Sequence, residues 1–190
     1  MIRKLFRESL YDVEEADINN NPLAGEPHEI TDPGDHDFDK VVELDTDLKI
    51  GIKEKPTQMF VYFIHSDVYG SDTNEKVIGS ADLKLRDPAP YPVMGMIRIH
   101  PDYQGKGYGK TFYEWMINNY GGLISDSTLT KRAGKGSYHI WQSLENDGYE
   151  MSVIRWSDLE DQKWWNPKPV KSIKNWVRAG RGGFRLVAEQ

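Results

Sequence analysis

The sequence predicts an α/β domain of the α+β kind, in which flanking helices pack on a central mixed, mostly antiparallel sheet. Segments rich in aromatic and β-branched residues follow one another closely over residues 38–100, as neighbouring strands of a sheet do. The chain then changes to apolar residues at helical spacing, directly after a turn with three glycines. We expect a single domain over residues 1–190, because this length is enough to bury one proper core.

Four strands are expected before the glycine turn. Alternating residues over 38–55 predict the first strand, and the aromatic and β-branched run over 58–67 predicts the second. The polar stretch over 69–75 is predicted to be a hairpin loop that leads to a return strand over 76–85. The fourth strand is predicted over 94–100, directly before the turn.

Two helices and three further strands are expected after the turn. Phe112, Trp115 and Met116 recur at helical spacing, and the glycines at 121 and 122 are expected to end this first helix. The remaining predicted elements are a short strand over 123–125, a helix over 137–147 capped by Gly148, a strand over 149–156 and a final strand over 184–188.

The two ends of the chain lack a clear period. Residues 1–38 are expected to form an irregular acidic head rich in turn formers. Its cluster around His36 (Asp32, Asp35, Asp37 and Asp39) is interpreted as a solvated loop rather than a metal site, because it contains only one imidazole. Residues 157–183 form a tryptophan-rich insertion before the last strand, in which the tryptophans are either a lid over a substrate groove or a small core.

Charge is distributed unevenly along the chain. Residues 1–56 carry 15 acidic and 7 basic side chains, a balance of −8, whereas residues 157–190 carry 4 and 7, a balance of +3. The acidic head argues against general nucleic-acid binding, which needs Lys and Arg against phosphates, and the basic tail leaves only a weaker case for it. Without cysteine there are no disulfides and no Cys-ligated zinc, and no apolar run is long enough to span a membrane. We expect a cytoplasmic protein with no metal site.

The turn over residues 104–110 is the feature most directly connected with chemistry. It consists of Gln-Gly-Lys-Gly-Tyr-Gly-Lys between a predicted strand and a predicted helix. Glycines let backbone amides approach a ligand, and a helix N-terminus adds unpaired N–H groups and a positive dipole end. Together they favour an anion, most simply a phosphate. The spacing is neither the Gly-x-Gly-x-x-Gly of a dinucleotide fold nor that of a P-loop.

Gln104-x-x-Gly107-x-Gly109, preceded by Pro101-x-Tyr103, resembles the pyrophosphate loop of the GNAT acyltransferase superfamily. The resemblance implies that two strands splay apart and hold an acyl-coenzyme A, with acetyl-CoA as the co-substrate. It also implies cofactor contacts from the backbone of the strand before the loop and from the loop itself, namely from Ile97, Arg98, Ile99, Gln104, Gly105, Lys106, Gly107, Tyr108, Gly109 and Lys110.

The catalytic groups depart from the family pattern. Many members carry a tyrosine, the acid toward the departing thiolate, four residues before a Gly-Phe pair, and Gly148-Tyr149 is similar to that pair. The corresponding residue here is Leu144, which cannot donate a proton. Tyr138, at the start of the same helix, is the candidate replacement, with simple packing as its alternative. Ser125 lies where some members carry a glutamate base, and with Asp126 it either orders a water that accepts the amine proton or caps the strand.

The resemblance implies acetyl transfer from acetyl-CoA to the amine of a small molecule or protein, by direct attack in a ternary complex. Two other interpretations remain. If catalysis has been lost, the protein is an acyl-CoA-binding module that acts through a protein partner. If the basic tail binds nucleic acid, the amine belongs to a modified base or an aminoacyl-tRNA. Residues 120–126 and Trp141 also resemble acetyltransferase-like proteins of bacteriophages, which implies a viral origin and a host cytoplasm.

Overall fold

The computed structural model describes residues 29–69, 72–85, 89–125, 135–155, 157, 165–174 and 184–190. The strands in these ranges are β1 (Lys40–Glu43), β2 (Leu48–Lys55), β3 (Gln58–Tyr69), β4 (Asp72–Lys84), β5 (Val93–Ile99), β6 (Gly122–Ile124), β7 (Glu150–Arg155), β8 (Lys168–Pro169) and β9 (Phe184–Glu189). The helices are α1 (Tyr108–Tyr120) and α2 (Lys135–Asn146), and short 3-10 turns lie at Pro33–Asp35 and Pro101–Tyr103.

The nine strands form one sheet in the order β1-β2-β3-β4-β5-β6-β9-β7-β8. Every neighbouring pair is antiparallel except β5 and β6, which are parallel. The sheet is therefore mixed and mostly antiparallel, and the predicted fold class is confirmed. The parallel pair lies near the middle of the sheet, on either side of α1 in the chain.

The prediction of one strand over 38–55 is wrong, because β1 and β2 form a hairpin. The chain turns at Asp45, whose carboxylate accepts the N–H of Thr46 at 2.7 Å. The N–H groups of Leu44 and Asp45 both bond to the carbonyl of Leu48, which closes the turn. Short polar side chains that bond to nearby backbone favour turns over strands. Apolar alternation continues on both sides of this turn and conceals it in the sequence.

The polar stretch predicted as a loop over 69–75 is mostly strand. β3 continues through Tyr69 and β4 begins at Asp72, so only two residues lie between them. The ladder is supported here by polar contacts, since Lys49 bonds to the Glu75 carboxylate at 2.8 Å and the Ser66 hydroxyl donates to it at 3.3 Å. Cross-strand polar pairs of this kind stabilise a sheet without any apolar signal.

Both helices pack on one face of the sheet and form the main core. Phe112 of α1 meets Phe63 of β3 edge-on, with ring centroids 5.1 Å apart, and Trp141 of α2 meets Tyr113 of α1 in the same way at 5.6 Å. All four of these side chains are fully buried. Edge-to-face contacts add to the burial of such large rings and orient the helices on the sheet. The helices end at left-handed glycines, Gly121 and Gly148, as predicted.

A smaller core lies on the opposite face, formed by Val93, Ile124, Ile154 and Val187. Tyr91 covers it. The ring of Tyr91 lies over Gly122, where a Cβ would approach it to 2.7 Å, and its hydroxyl donates to Glu189 at 2.7 Å. Trp165 meets the same ring edge-on at a centroid distance of 5.4 Å. One tryptophan of the insertion therefore packs beside this second core.

Parts of both chain ends join the sheet. In the head, Thr31 forms an isolated bridge with Val77 of β4. In the insertion, the short strand β8 pairs with β7, and Ile173 is fully buried. The other two tryptophans of the insertion, Trp164 and Trp176, lie outside the described residues. Within the described ranges, none of the helices has the length and apolar character needed to cross a membrane.

The hydrogen bond from Tyr91 to Glu189 stabilises the fold at neutral pH, and this contribution is lost at alkaline pH. This bond, together with burial, raises the pKa of Tyr91 to about 12. The stabilising contribution of the protonated phenol is present below the unfolded-state pKa of about 10, and it is lost as pH rises from there toward 12. We expect Tyr91→Phe to lower the free energy of unfolding by about 1 kcal/mol at neutral pH. The difference between variant and wild type should shrink between pH 10 and 12 in urea titrations, and a constant difference would contradict the prediction.

Candidate functional site

A β-bulge in β5 shapes the centre of the molecule. Asp82 of β4 stands opposite two residues of β5, Gly95 and Met96, because the register shifts at this point. The carboxylate of Asp82 accepts the N–H of Met96 at 2.9 Å. A Cβ at Gly95 would overlap that carboxylate, so glycine is required here by close approach. A bulge bends its strand and increases the local twist.

β5 and β6 run parallel but separate almost at once. They share a single residue pair, Val93 with Ile124, and the N–H of Ile124 bonds to the carbonyl of Pro92 at 3.0 Å. β6 ends at Ile124 and pairs with β9 along its other edge over residues 122–124, while β5 continues beyond this point paired with β4. Among the described residues, no strand pairs with the edge of β5 from Met94 to Ile99, and this gap agrees with the predicted splay of two strands.

The open edge presents the backbone of Ile97 and Ile99. Along an antiparallel strand, residues whose N–H and C=O point at the partner alternate with residues that point away. The N–H groups of Met96 and His100 point at β4, where both are hydrogen-bonded. Ile97 and Ile99 therefore direct their N–H groups into the gap. The backbone of Arg98 faces β4, which turns this predicted cofactor residue away from the gap.

The glycine loop ends in a helix N-terminus that no side chain caps. Gly105 and Gly107 have φ values of 75° and 91°, and a Cβ at either position would meet no atom of the described residues within 4 Å. Gly107 is the N-cap residue of α1, and the N–H of Thr111 makes the first intrahelical bond to its carbonyl at 3.0 Å. The amides of residues 108–110 consequently have no carbonyl partner within the helix, which suits them to an anion.

A cleft of about 600 Å³ lies between the glycine loop, the end of β5 and one side of α2. It is lined by all of the predicted cofactor residues except Arg98 and Lys106. α2 contributes four lining residues that the sequence analysis does not identify, namely Ser137, His139, Ile140 and Ser143. Helical spacing places these four residues on one side of α2, next to its buried side. They could have been predicted from the sequence only if it had been known that this side of α2 faces the glycine loop.

Two side chains of the loop stabilise the loop itself. The amide of Gln104 donates to the carbonyl of Ile99 at 2.7 Å and ties the turn to the end of β5. The ammonium of Lys106 lies 4.6 Å from the ring centroid of Tyr103, a cation–π contact on the outside of the cleft lining. The predicted ligand contacts of Gln104 and Lys106 thus compete with contacts inside the protein.

Lys110 lines the cleft, but its charge is shared with carboxylates. Its ammonium lies 2.7 Å from Asp147 and 3.4 Å from Glu114. The hydrogen bond to Asp147 is the main cause that raises the pKa of Lys110. Backbone amides are therefore the principal positive feature at the helix N-terminus, and Lys110 adds a partly neutralised charge beside them.

A partly buried polar cluster contacts the first residue of α1 behind the loop. The hydroxyl of Tyr108 donates to Asp47 at 2.8 Å, and burial together with this carboxylate raises the pKa of Tyr108 far above its usual range. His65 is only 7 % exposed and lies between Asp47 and Asp67, with 3.4 Å to each carboxylate. Its ring also meets that of Tyr103 at a centroid distance of 4.9 Å. These partners are far apart in sequence, which is why no local pattern reveals them.

The structure places neither candidate catalytic residue in the cleft lining. Ser125 is 3 % exposed at the end of β6, and its hydroxyl oxygen accepts the N–H of Leu186 at 2.8 Å. Tyr138 packs against the edge of the main core, while its neighbours in the helix line the cleft. Leu144 is fully buried. The catalytic roles of Ser125 and Tyr138 stay predictions, and both side chains have structural contacts.

The acidic cluster of the head is engaged in local contacts. Asp37 and Asp39 lie 2.6 and 3.6 Å from the ammonium of Lys53, and the Asp32 carboxylate accepts the N–H of Gly34 at 2.7 Å. In the ranges that the structure describes, no group of three or more His, Asp or Glu side chains is arranged to hold a metal ion.

Comparison with known proteins supports the resemblance seen in the glycine loop. Residues 36–121 match the model of the acetyltransferase (GNAT) family, which is a little under half of the 190 residues. The predicted resemblance is confirmed for that part of the chain. The matched segment runs from the head through α1, so it contains the bulge and the glycine loop. It agrees with the predicted acyltransferase class and with acetyl-CoA as the co-substrate.

No curated protein matches the sequence. Among solved structures, the chain is similar to a Bacillus anthracis protein assigned as a streptothricin acetyltransferase and crystallised with acetyl coenzyme A. The two share 10 % identity, and the alignment covers 85 % of this chain and 94 % of that chain with a TM-score of 0.36. A similarity at this level carries no argument about function.

The bulge can be tested by comparing two glycines. Gly95→Ala should lower the free energy of unfolding by about 2 kcal/mol or more, because its Cβ would overlap the Asp82 carboxylate in a packed strand. Gly105→Ala should cost only about 1 kcal/mol, since it adds left-handed strain but meets no atom. Denaturant titrations measure both values. Equal losses in the two variants would mean that Asp82 and Gly95 do not pack as described.

Proposed function

We propose that the protein is an acetyl-CoA-dependent N-acetyltransferase that acts by direct attack in a ternary complex. One observation carries the proposal, namely that an uncapped helix N-terminus with a glycine loop lies beside the open edge of a bulged strand. The helix end suits a pyrophosphate, and the strand edge suits the amides and the thioester of an acyl-pantetheine arm. The cleft joins both features and is large enough for a ligand of this size.

The residues of the cleft fit the three parts of the co-substrate. The amides of residues 108–110 would hold the pyrophosphate, and Gly105 and Gly107 leave the space that it needs. Ile97 and Ile99 would pair with the arm and polarise the thioester carbonyl through their backbone N–H groups. The side of α2 that lines the cleft would contact the nucleotide portion.

The reaction itself needs no covalent enzyme intermediate. The nitrogen of a neutral amine attacks the thioester carbonyl carbon, the C–N bond forms, and collapse of the tetrahedral oxyanion breaks the C–S bond. The ammonium loses one proton before attack and a second after it, so one proton goes to the thiolate sulfur and one to solvent. A thiol pKa of about 8.5 makes the thiolate a good leaving group even without a dedicated acid. Stabilisation of the oxyanion by the gap-facing amides is then the main contribution of the chain.

The first test adds a negative charge to the cleft. His139→Glu places a carboxylate on the lining where a tetra-anionic co-substrate would bind, and it should raise the acetyl-CoA dissociation constant about tenfold, a cost of about 1.4 kcal/mol. The effect should weaken in high salt, because ions screen partly exposed charges. Isothermal calorimetry measures the constants.

The matched control for this test is Gln142→Glu. It adds the same charge to the same helix, but Gln142 does not line the cleft. Its dissociation constant should rise by about twofold at most, since the added charge lies outside the cleft lining and is partly screened by solvent ions. Equal weakening in both variants would show that only net charge matters, and unchanged binding in both would remove the cofactor assignment.

The second test concerns the missing acid. Because the ring of Tyr138, a residue of α2, packs at the edge of the main core, Tyr138→Phe should leave kcat within about twofold of wild type, whereas loss of a general acid costs about 100-fold or more. The rate is measured as thiol release from acetyl-CoA across pH 6 to 9. A large fall in kcat without loss of acetyl-CoA binding would instead make Tyr138 the acid.

A second candidate function is an acyl-CoA-binding module without turnover. The specific observation in its favour is Leu144, which is fully buried where many family members carry the acid. Binding of acetyl-CoA without thiol release in a broad screen of amines would favour this function. Thiol release that depends on an added amine would favour the enzyme.

A further inference from the structure

A second cleft, of about 510 Å³, lies on the face of the sheet opposite α1 and α2. Its floor is formed by β3, β4 and β5, and it includes the aromatic side chains of Phe60 and Tyr62. Asp82, Lys84 and Arg98 bring charge into it. No part of the proposed cofactor cleft uses these side chains.

The two clefts meet at β5. Ile97 and Ile99 line the cofactor cleft, while Met96 and Arg98 line the second cleft, because successive side chains of a strand point to opposite faces. Since β6 ends at Ile124, opposite Val93, no strand of the described ranges closes this edge of β5. A reacting carbon held by the gap-facing amides can therefore be approached from the second cleft.

The second cleft contains both positive and negative side chains, which suits a ligand that carries both a negative and a positive charge. The Nη2 atom of Arg98 is buried and has no hydrogen-bond acceptor among the described residues. A buried guanidinium nitrogen without an acceptor is costly, and a bound carboxylate or phosphate would satisfy it. Arg98 stands opposite Ser80, and Asp82 lies two residues further along β4 on the same face, about 7 Å away by strand geometry.

We propose that the second cleft is the acceptor site and that it selects an amine carrying a nearby anionic group, either a carboxylate or a phosphate. This inference rests on the proposed function. Arg98 binds the anionic group. Asp82, whose Oδ1 already accepts the N–H of Met96, attracts the ammonium end toward the bulge and the gap. The aromatic floor then contacts the apolar part that joins the two ends.

Binding of matched amines tests the proposal without requiring turnover. The probes are 4-aminobutyrate against 4-aminobutanamide, and phosphoethanolamine against ethanolamine, each titrated by calorimetry into the protein saturated with CoA. In wild type, the anionic member of at least one pair should bind about tenfold more tightly than its neutral partner. The pair that shows the preference distinguishes a carboxylate from a phosphate.

Variants of Arg98 test whether this side chain causes the preference for the anionic amine. Arg98→Met should reduce it to about twofold or less and leave the CoA dissociation constant unchanged, whereas Arg98→Lys should keep part of it, because a point charge replaces a two-pronged donor. Arg155→Met is the control, since it removes an exposed arginine that lines neither cleft.

Several results would overturn the proposal. It fails if no anionic amine binds, if neutral partners bind as tightly in wild type, or if Arg98→Met weakens CoA and amine binding equally. The wild-type comparison decides the matter even if Arg98→Met does not fold. If CoA itself does not bind, the proposed function fails and the acceptor site with it. If CoA binds but the pairs are indistinguishable, only the acceptor site is wrong.

Discussion

The structure depends on the carboxylate of Asp82 at the bulge of β5. By accepting the N–H of Met96, it satisfies a backbone donor that the interrupted ladder leaves without a carbonyl. The bulge bends β5 away from the path of a flat sheet, and β6 meets it at only one residue pair. Most of the edge of β5 on the side of β6 therefore has no strand partner among the described residues.

The gap beside β5 adds selectivity to the glycine loop next to it. A helix N-terminus alone attracts an anion, but it does not select a ligand. Here the amides at the start of α1 lie at the end of the same strand whose edge is open, and Gln104 ties loop and strand together. The polar cluster of Tyr108, Asp47 and His65 holds the helix start from behind. The helix start, the loop and the gap-facing amides of Ile97 and Ile99 are thus held next to one another.

Local sequence patterns predicted much of this arrangement. Most strands and helices, the capping glycines and the glycine turn between β5 and α1 follow from residue spacing along the chain. Two kinds of feature were missed. The turn at Asp45 and the strand at Asp72 are polar segments whose structure depends on partners across the sheet. The α2 side of the cleft depends on which helix packs against which, and the cluster around His65 joins residues up to 61 positions apart.

The sequence by itself determined that the chain places a glycine-rich turn and a helix N-terminus directly after a strand, because φ > 0 and helix termini are properties of a few consecutive residues. Only the tertiary structure decided which side chains share a cleft. Arg98 shows the difference. Its position in the strand before the loop led to the prediction that it contacts the cofactor. In the bulged strand, however, its backbone N–H points to β4 and its guanidinium lies on the face of the sheet opposite the helices. The pairing register and the bulge determine which residues of β5 point to which side, and both depend on the neighbouring strand β4.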